Sequence, residues 1–195
     1  GLFTYIGSGL SIPIWFAHLY LPAKLILLEK FDAEEALRLI ERERIAFAVG
    51  VPAQIEMIVK HPNLGKYNLN CLRAIFYGGA ILPYATAKEA EEKLGCKIVG
   101  NMGAMDFGPI SVLSYDDPQE VRWNSIGKLY PGNEVKIVNE EGKEVPQGEM
   151  GEMLIRGPYA MTGIWKDPEI TLYNWGGEKA GWFGTGDFVR MDKDG

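Results

Sequence analysis

The 195-residue sequence predicts an α/β fold, an open and mostly parallel sheet with flanking helices, followed by a small antiparallel β-barrel-like subdomain. Three observations carry this. Short, almost wholly apolar runs alternate with helix-length amphipathic stretches through the first half, the pattern of strands buried on both faces and joined by crossover helices. Several of those runs end abruptly in glycine. After Ser114 the period changes from helical to two, with Gly and Pro punctuation, as in small antiparallel sheets. The boundary falls near Tyr115–Asn124, giving residues 1–118 as an α/β subdomain and 119–195 as the β subdomain.

In chain order, residues Ser11 to Tyr20 are apolar and aromatic and predict a buried helix. Lys24 to Leu28 has strand length. Asp32 can cap the next helix, with Glu35 three residues on as in a capping box, and Ala33, Ala36, Leu37 and Ile40 fall on one face. Ile45–Val49 reads as a buried strand. Gly50-Val51-Pro52 turns the chain, and Pro52 suits the first position of a helix from Ala53 to Lys60. Leu72–Tyr77 is a strand ending at Gly78-Gly79-Ala80; Pro83 opens a helix over Tyr84–Leu94; Lys97–Val99 is a strand leading into Gly100–Asp106. Beyond the boundary, Glu134–Val138 alternates with period two, Asn139–Gly142 is a hairpin turn, and Glu149–Arg156 and Phe183–Met191 are further strands.

Composition narrows the functions open to such a fold. A net charge of −6 has the wrong sign for a nucleic-acid backbone as partner. The most apolar stretch, Leu10 to Leu21, is too short to cross a bilayer and contains Pro13 and His18. Cys71 and Cys96 are too few and too far apart for a disulfide framework, and read as free thiols in a reducing, cytoplasmic setting. With only His18 and His61 present, a His/Cys metal centre is not expected. No basic leader with a small-residue cleavage site is read at the start. The chain opens inside an apolar run without methionine and stops at the turn signal Asp192–Gly195, so both ends read as cut from a longer protein.

In open α/β sheets ligands sit beyond the carboxyl ends of the strands. That directs attention to Gly50-Val51-Pro52, Gly78-Gly79-Ala80 and Gly100–Asp106. Near the chain's end, Gly181-Trp182-Phe183-Gly184-Thr185-Gly186-Asp187 sets two aromatic residues and a flexible turn before one carboxylate. A carboxylate so placed can accept two hydrogen bonds from a vicinal diol such as a ribose, or can be a solvated turn residue.

Taken together and in order, these blocks resemble the AMP-forming, acyl-adenylating superfamily, which includes acyl-CoA synthetases, the adenylation domains of peptide synthetases and beetle luciferases. Gly78-Gly79-Ala80 is similar to its Gly-Gly-Ala loop, and Gly100–Asp106 lies where it has a Tyr-Gly-x-Thr-Glu motif. Gly148–Pro158, continuing through Met161-Thr162-Gly163 to Pro168-Glu169-Ile170-Thr171, resembles the stretch running from Gly-Glu through Arg-Gly-Pro to Pro-Glu-x-Thr. Gly181–Asp187 resembles its Gly-Trp-aromatic-Arg-Thr-Gly-Asp loop. The wording of the Gly148–Thr171 block favours acid–thiol ligases.

The resemblance implies that a carboxylic acid is activated with ATP to an acyl-adenylate, then passed to coenzyme A with release of AMP and pyrophosphate. Small molecules would be the partners: the acid, ATP and coenzyme A. By the same resemblance Gly78, Gly79 and Ala80 would floor the adenine, with Asn101, Met102 and Gly103 beside it and Met105 at the α-phosphate. Asp187 would hold the ribose hydroxyls and Asp106 would be a Mg²⁺ ligand. Thr4, Tyr5, Val51 and Ala104 would line the acyl pocket. Three positions depart from the pattern: Met105 stands for the family's threonine, Asp106 for its glutamate and Gly184 for its arginine. The family's phosphate loop and its catalytic lysine are expected to lie before and after this stretch, so it holds the second α/β subdomain and most of the barrel. The stretch alone is not expected to catalyse adenylation.

Overall fold

The computed structural model describes Tyr20 and residues 22–175 and 181–195. Of the predicted buried helix Ser11–Tyr20 all but Tyr20, which is exposed, lies outside the described residues, as do the predicted pocket residues Thr4 and Tyr5. Two compact units are present. The first takes in the described residues up to Gly103 together with Ser111–Gly127, and the second takes in Ala104–Ile110 and Lys128–Gly195.

The first unit is built on β1 (Phe47–Gly50), β2 (Ala74–Tyr77) and β3 (Lys97–Ala104). β1 pairs with β2 and β2 with β3, both parallel, as the crossover pattern predicted. α1 (Ala33–Glu43) precedes β1, and the crossovers carry α2 (Pro52–Val59) and α3 (Tyr84–Leu94). Asp32 caps α1: its Oδ1 accepts the Glu35 N–H at 2.8 Å. Glu35's own carboxylate pairs with Arg38 one turn on. The chain leaves α1 through Arg44 in the left-handed region, φ 52°, whose N–H returns to Glu41 and Ile40 carbonyls. Leu37, Ile40, Ile55, Ile58, Ile75 and Ile98 are wholly buried in one cluster, each worth about 1.5–3 kcal/mol of transfer free energy. The other strand residues, Ala74 and Val99, belong to a smaller cluster with Leu113.

Two features of this unit differ from the sequence expectation. Lys24–Leu28 is no strand; only Leu27 makes an isolated bridge, while Ile26 and Leu28 pack against the helical core. Burial, not a ladder, is what the apolar run supplies there. A helix also appears where helical periodicity had faded: α4 (Gln119–Asn124) starts after Pro118 and is held by one buried ion pair. Arg122 and Glu91 are 6% and 7% exposed and meet at 2.8 Å. The guanidinium also donates to the Asp117 carbonyl at 2.5 Å, and Glu91 accepts from Gln119 at 3.0 Å and from the Ile98 N–H at 2.8 Å. Glu91 thus ties α3, β3 and α4 together.

β4 (Gly108–Val112) and β5 (Lys128–Leu129) complete a five-stranded sheet in the order β1-β2-β3-β4-β5. In the second unit, β6 (Glu134–Val138), β7 (Gly151–Arg156) and β8 (Phe183–Val189) form a three-stranded antiparallel sheet in that order. The Asn139–Gly142 turn closes as predicted, with the Gly142 N–H on the Asn139 carbonyl at 2.9 Å. A second unpredicted helix, α5 (Pro168–Trp175), is capped by Asp167, whose Oδ1 accepts the Ile170 N–H at 3.1 Å, with Pro168 at its first position. In sequence this helix is hidden inside the Pro-Glu-x-Thr stretch. Both cysteines are free, and Cys96 is buried.

Candidate functional site

In the first unit the parallel register sets Gly50, Tyr77 and Gly100 in one line across the carboxyl ends of β1, β2 and β3. Val51, Gly78 and Asn101 each follow one of those residues, so the three predicted ligand-facing strand ends leave the first two turns and the third strand at one level. Val51 and Gly79 are neighbours: a Cβ on Gly79 would stand 3.9 Å from Val51 Cγ1. Gly79 has φ +84°, a conformation that glycine adopts freely and that explains its presence at this turn. Gly78 is buried, whereas Gly79 and Ala80 are exposed and open to a ligand.

Val51 is held from behind. Its N–H donates to Gln54 Oε1 at 2.9 Å, which fixes the entry to α2. Gln54 was not singled out in the sequence, although its place three residues after the turn is the signal that could have found it. Tyr77 was also missed. Its ring occupies the space that a side chain at Gly100 would need: a Cβ there would lie 2.8 Å from Tyr77 Cζ and its hydroxyl oxygen. Tyr77 is buried, and desolvation raises its phenol pKa, so the group is neutral at physiological pH. Gly100–Gly103, expected in a loop after a short strand, instead continue β3, which runs to Ala104. Asn101 and Met102 are half-buried and Gly103 is exposed.

The remaining predicted residues belong to the second unit. Ala104 ends β3, and Met105, Asp106 and Phe107 form the turn into β4. Met105 is 66% exposed and Asp106 is exposed. The Asp106 carbonyl accepts the Met161 N–H at 2.9 Å, and the buried Phe107 ring packs 5.3 Å from the Phe183 ring. The turn bearing Asp106 is thereby anchored to the start of β8, the strand that carries Asp187.

Asp187 stands in a bulge. Leu154 pairs with Gly184 and Glu152 with Phe188, so Thr185, Gly186 and Asp187 face the single residue Met153. Thr185 Oγ1 donates to the Met153 carbonyl at 2.9 Å and accepts the Asp187 N–H at 3.1 Å. Gly186 makes the bend with φ +72°. The result is an exposed Asp187 whose backbone is tied through one threonine to the neighbouring strand. Just before the strand, the Trp182 ring has two cations against it, Lys136 Nζ at 4.7 Å and Arg156 Cζ at 4.6 Å from the ring centroid.

Chemically, this provides two kinds of surface, each within its own unit. The first unit offers exposed glycine and alanine backbone at Gly79 and Ala80, with no side chain beyond Cβ. The second offers an oriented carboxylate acceptor at Asp187 and a hard oxygen donor at Asp106. No group of three or more His, Cys, Asp or Glu able to hold a metal is found among the described residues. A lone aspartate fits Mg²⁺, which keeps several waters and takes one or two carboxylates.

A family model described as "AMP-binding enzyme" matches residues 7–165. The indoleacetate–CoA ligase of Aromatoleum aromaticum is 34% identical over 173 residues, covering 89% of this chain and 33% of its own length. Triostin synthetase I of Streptomyces triostinicus is 32% identical over 192 residues, 96% of this chain and 35% of its own length. The crystal structure of ATP-bound MatB from Rhodopseudomonas palustris superposes with a TM-score of 0.85 at 25% identity, covering 100% of this chain and 38% of that one. The chain thus spans about a third of the length of the relatives it matches. With the model covering most of the sequence and the fold shared with an ATP-bound relative, the chain belongs to the AMP-binding enzyme family.

Proposed function

We propose that this chain is part of an acid–thiol ligase. Such an enzyme activates a carboxylic acid with ATP to an acyl-adenylate and transfers the acyl group to coenzyme A, releasing pyrophosphate and AMP. One observation supports this reading above the others: the aligned ends of β1, β2 and β3, which bring Val51, Gly79 and Asn101 to the edge where open parallel sheets bind ligands. Residues 1–118 would then be the second α/β subdomain and 119–195 most of a small barrel, in a cytoplasmic enzyme.

In this reading Gly78, Gly79 and Ala80 floor the adenine because any larger side chain would take its place. Asn101, Met102 and Gly103 flank the base. Asp187 accepts from the ribose hydroxyls, a charge-assisted contact worth about 1.5–3 kcal/mol. Val51 and Ala104, with Thr4 and Tyr5, line the acyl side. Asp106 would hold Mg²⁺, which when bound neutralises phosphate charge. Carboxylate and nucleotide are both anions, so the residues' work is to align them and to offset charge, with no protein nucleophile required.

Met105 brings an apolar side chain to the position given to the α-phosphate, and Asp106 is one methylene shorter than the family's glutamate. These two residues support a second reading, a non-catalytic homologue that binds nucleotide or acyl ligand. Triostin synthetase I among the relatives supports a third, an amino-acid-adenylating module. The test is made on the full-length polypeptide with ATP, Mg²⁺ and a panel of aliphatic, aromatic and amino acids. Carboxylate-dependent pyrophosphate release followed by thioester formation with coenzyme A is expected. The absence of release with every acid in the panel would overturn the ligase reading, and release with amino acids alone would favour the third.

A further inference from the structure

We propose that Trp182, held by cation–ring contacts with both Arg156 and Lys136, is a positioning residue that sets Asp187 for ribose recognition; the inference rests on the ribose reading of Asp187. The three residues come from two strands and the approach to a third. Arg156 ends β7, directly opposite Glu134 of β6 in the register, and pairs with it at 2.6 Å. Lys136 lies two residues further along β6 and pairs with Glu144 at 3.0 Å. Trp182 immediately precedes β8, where Phe183 pairs with Ile155. Each cation is therefore oriented by its own carboxylate while its charge sits against the indole.

The clamp acts where β8 most needs it. Three residues later the ladder is broken by the Thr185–Asp187 bulge, in which the Thr185 hydroxyl donates to the Met153 carbonyl of β7 and accepts the Asp187 N–H within β8. A bulge fixes a side chain's direction only if the strand on each side is held in register. On the far side, Glu152–Phe188 and Gly151–Val189 pairing resumes. On the near side, two ladder pairs and the Trp182 clamp are the hold. The Phe183 ring, packed on Phe107, fixes the strand's depth, and the clamp fixes its end. Loss of the indole should let the first residues of β8 slide and the carboxylate swing, with little effect on the buried core, because Lys136 and Arg156 are 40% and 49% exposed.

The test measures equilibrium binding of AMP and of 2′-deoxy-AMP to the full-length protein, so that the ratio of the two affinities reports the ribose contact alone. Trp182→Leu is expected to weaken AMP by about tenfold, the scale of two exposed cation–π contacts, and to bring the ratio close to one. Trp182→Phe, which keeps a ring face, should retain most of the discrimination. Arg156→Met with Lys136→Met removes both cations from the surface without touching the indole and should lower the ratio likewise, which keeps the question answerable if Trp182→Leu does not fold. Asp187→Asn is the reference. If Asp187→Asn leaves the ratio unchanged, the ribose reading is wrong. If it lowers the ratio while Trp182→Leu and the double methionine variant do not, the clamp has no positioning role.

Discussion

Single atoms decide the most at Gly100. Its hydrogen faces the Tyr77 ring, and a methyl group there would meet Cζ and the hydroxyl at 2.8 Å, well inside contact distance. Gly100→Ala should therefore cost about 1–3 kcal/mol by overpacking. Combined with Tyr77→Ala the cost should fall short of the sum, and a urea-denaturation double-mutant cycle reads the coupling. Additive losses would mean that the ring yields freely. Cys96 offers a test by pH. Burial, with the nearby Glu91 charge, pushes its thiol from about 9.0 up to about 12. The folded state thus favours the neutral thiol. Its contribution to stability is complete below about 9.0, where the unfolded thiol is also neutral, and is lost as pH rises toward about 12. The urea midpoint should fall across that window, and Cys96→Ala should flatten the fall; an unchanged slope would place the thiol in contact with water.

At the scale of elements, the sequence was most informative where local chemistry and burial agree. The Asp32 cap, the Pro52 and Pro83 helix starts and the apolar strands Ala74–Tyr77 and Lys97–Val99 are written in short-range pattern. The elements that were missed depend on partners far away in the chain. α4 is six residues long, too short to show a period, and is secured by Arg122 reaching Glu91, 31 residues earlier. Lys24–Leu28 has strand composition but, among the described residues, forms no strand beyond one bridge at Leu27. The Glu91–Arg122 pair yields a prediction at this scale. Arg122→Leu leaves a buried carboxylate uncompensated and should cost about 3–5 kcal/mol, seen as a lower thermal midpoint. Arg122→Leu with Glu91→Leu should recover much of that loss, because an apolar pair needs no solvation; no recovery would mean that Glu91's bonds to Gln119 and Ile98 carry most of the stability.

For the molecule as a whole, the predicted site residues fall some in one unit and some in the other, each group with its own scaffold. The glycine blocks were legible because backbone conformation and close approach restrict those positions to glycine, as φ at Gly79 and Gly186 bears out. What sequence could not show was the support around them from distant residues: Tyr77 across Gly100, Phe107 against Phe183 and the cations around Trp182. Side-chain packing between distant residues leaves no periodic trace. Because the chain spans about a third of its relatives' length, pyrophosphate release is a property to be sought in the full-length protein, whereas the stability cycles above concern these residues alone.

The bulge on β8 has a parity. Facing Met153 with three residues adds two to the strand, an even number, so residues before and after the bulge keep the same inside and outside. Losing one residue from Thr185–Asp187 would turn every later side chain of β8 over, exposing the half-buried Val189 side and driving the exposed Phe188 inward. Losing two would leave an unbroken ladder with no excursion. Descendants of this sequence can thus shed the carboxylate's perch in a single paired deletion and keep the sheet, while unpaired length changes are closed to them. Length variation at this point among natural relatives should come in steps of two.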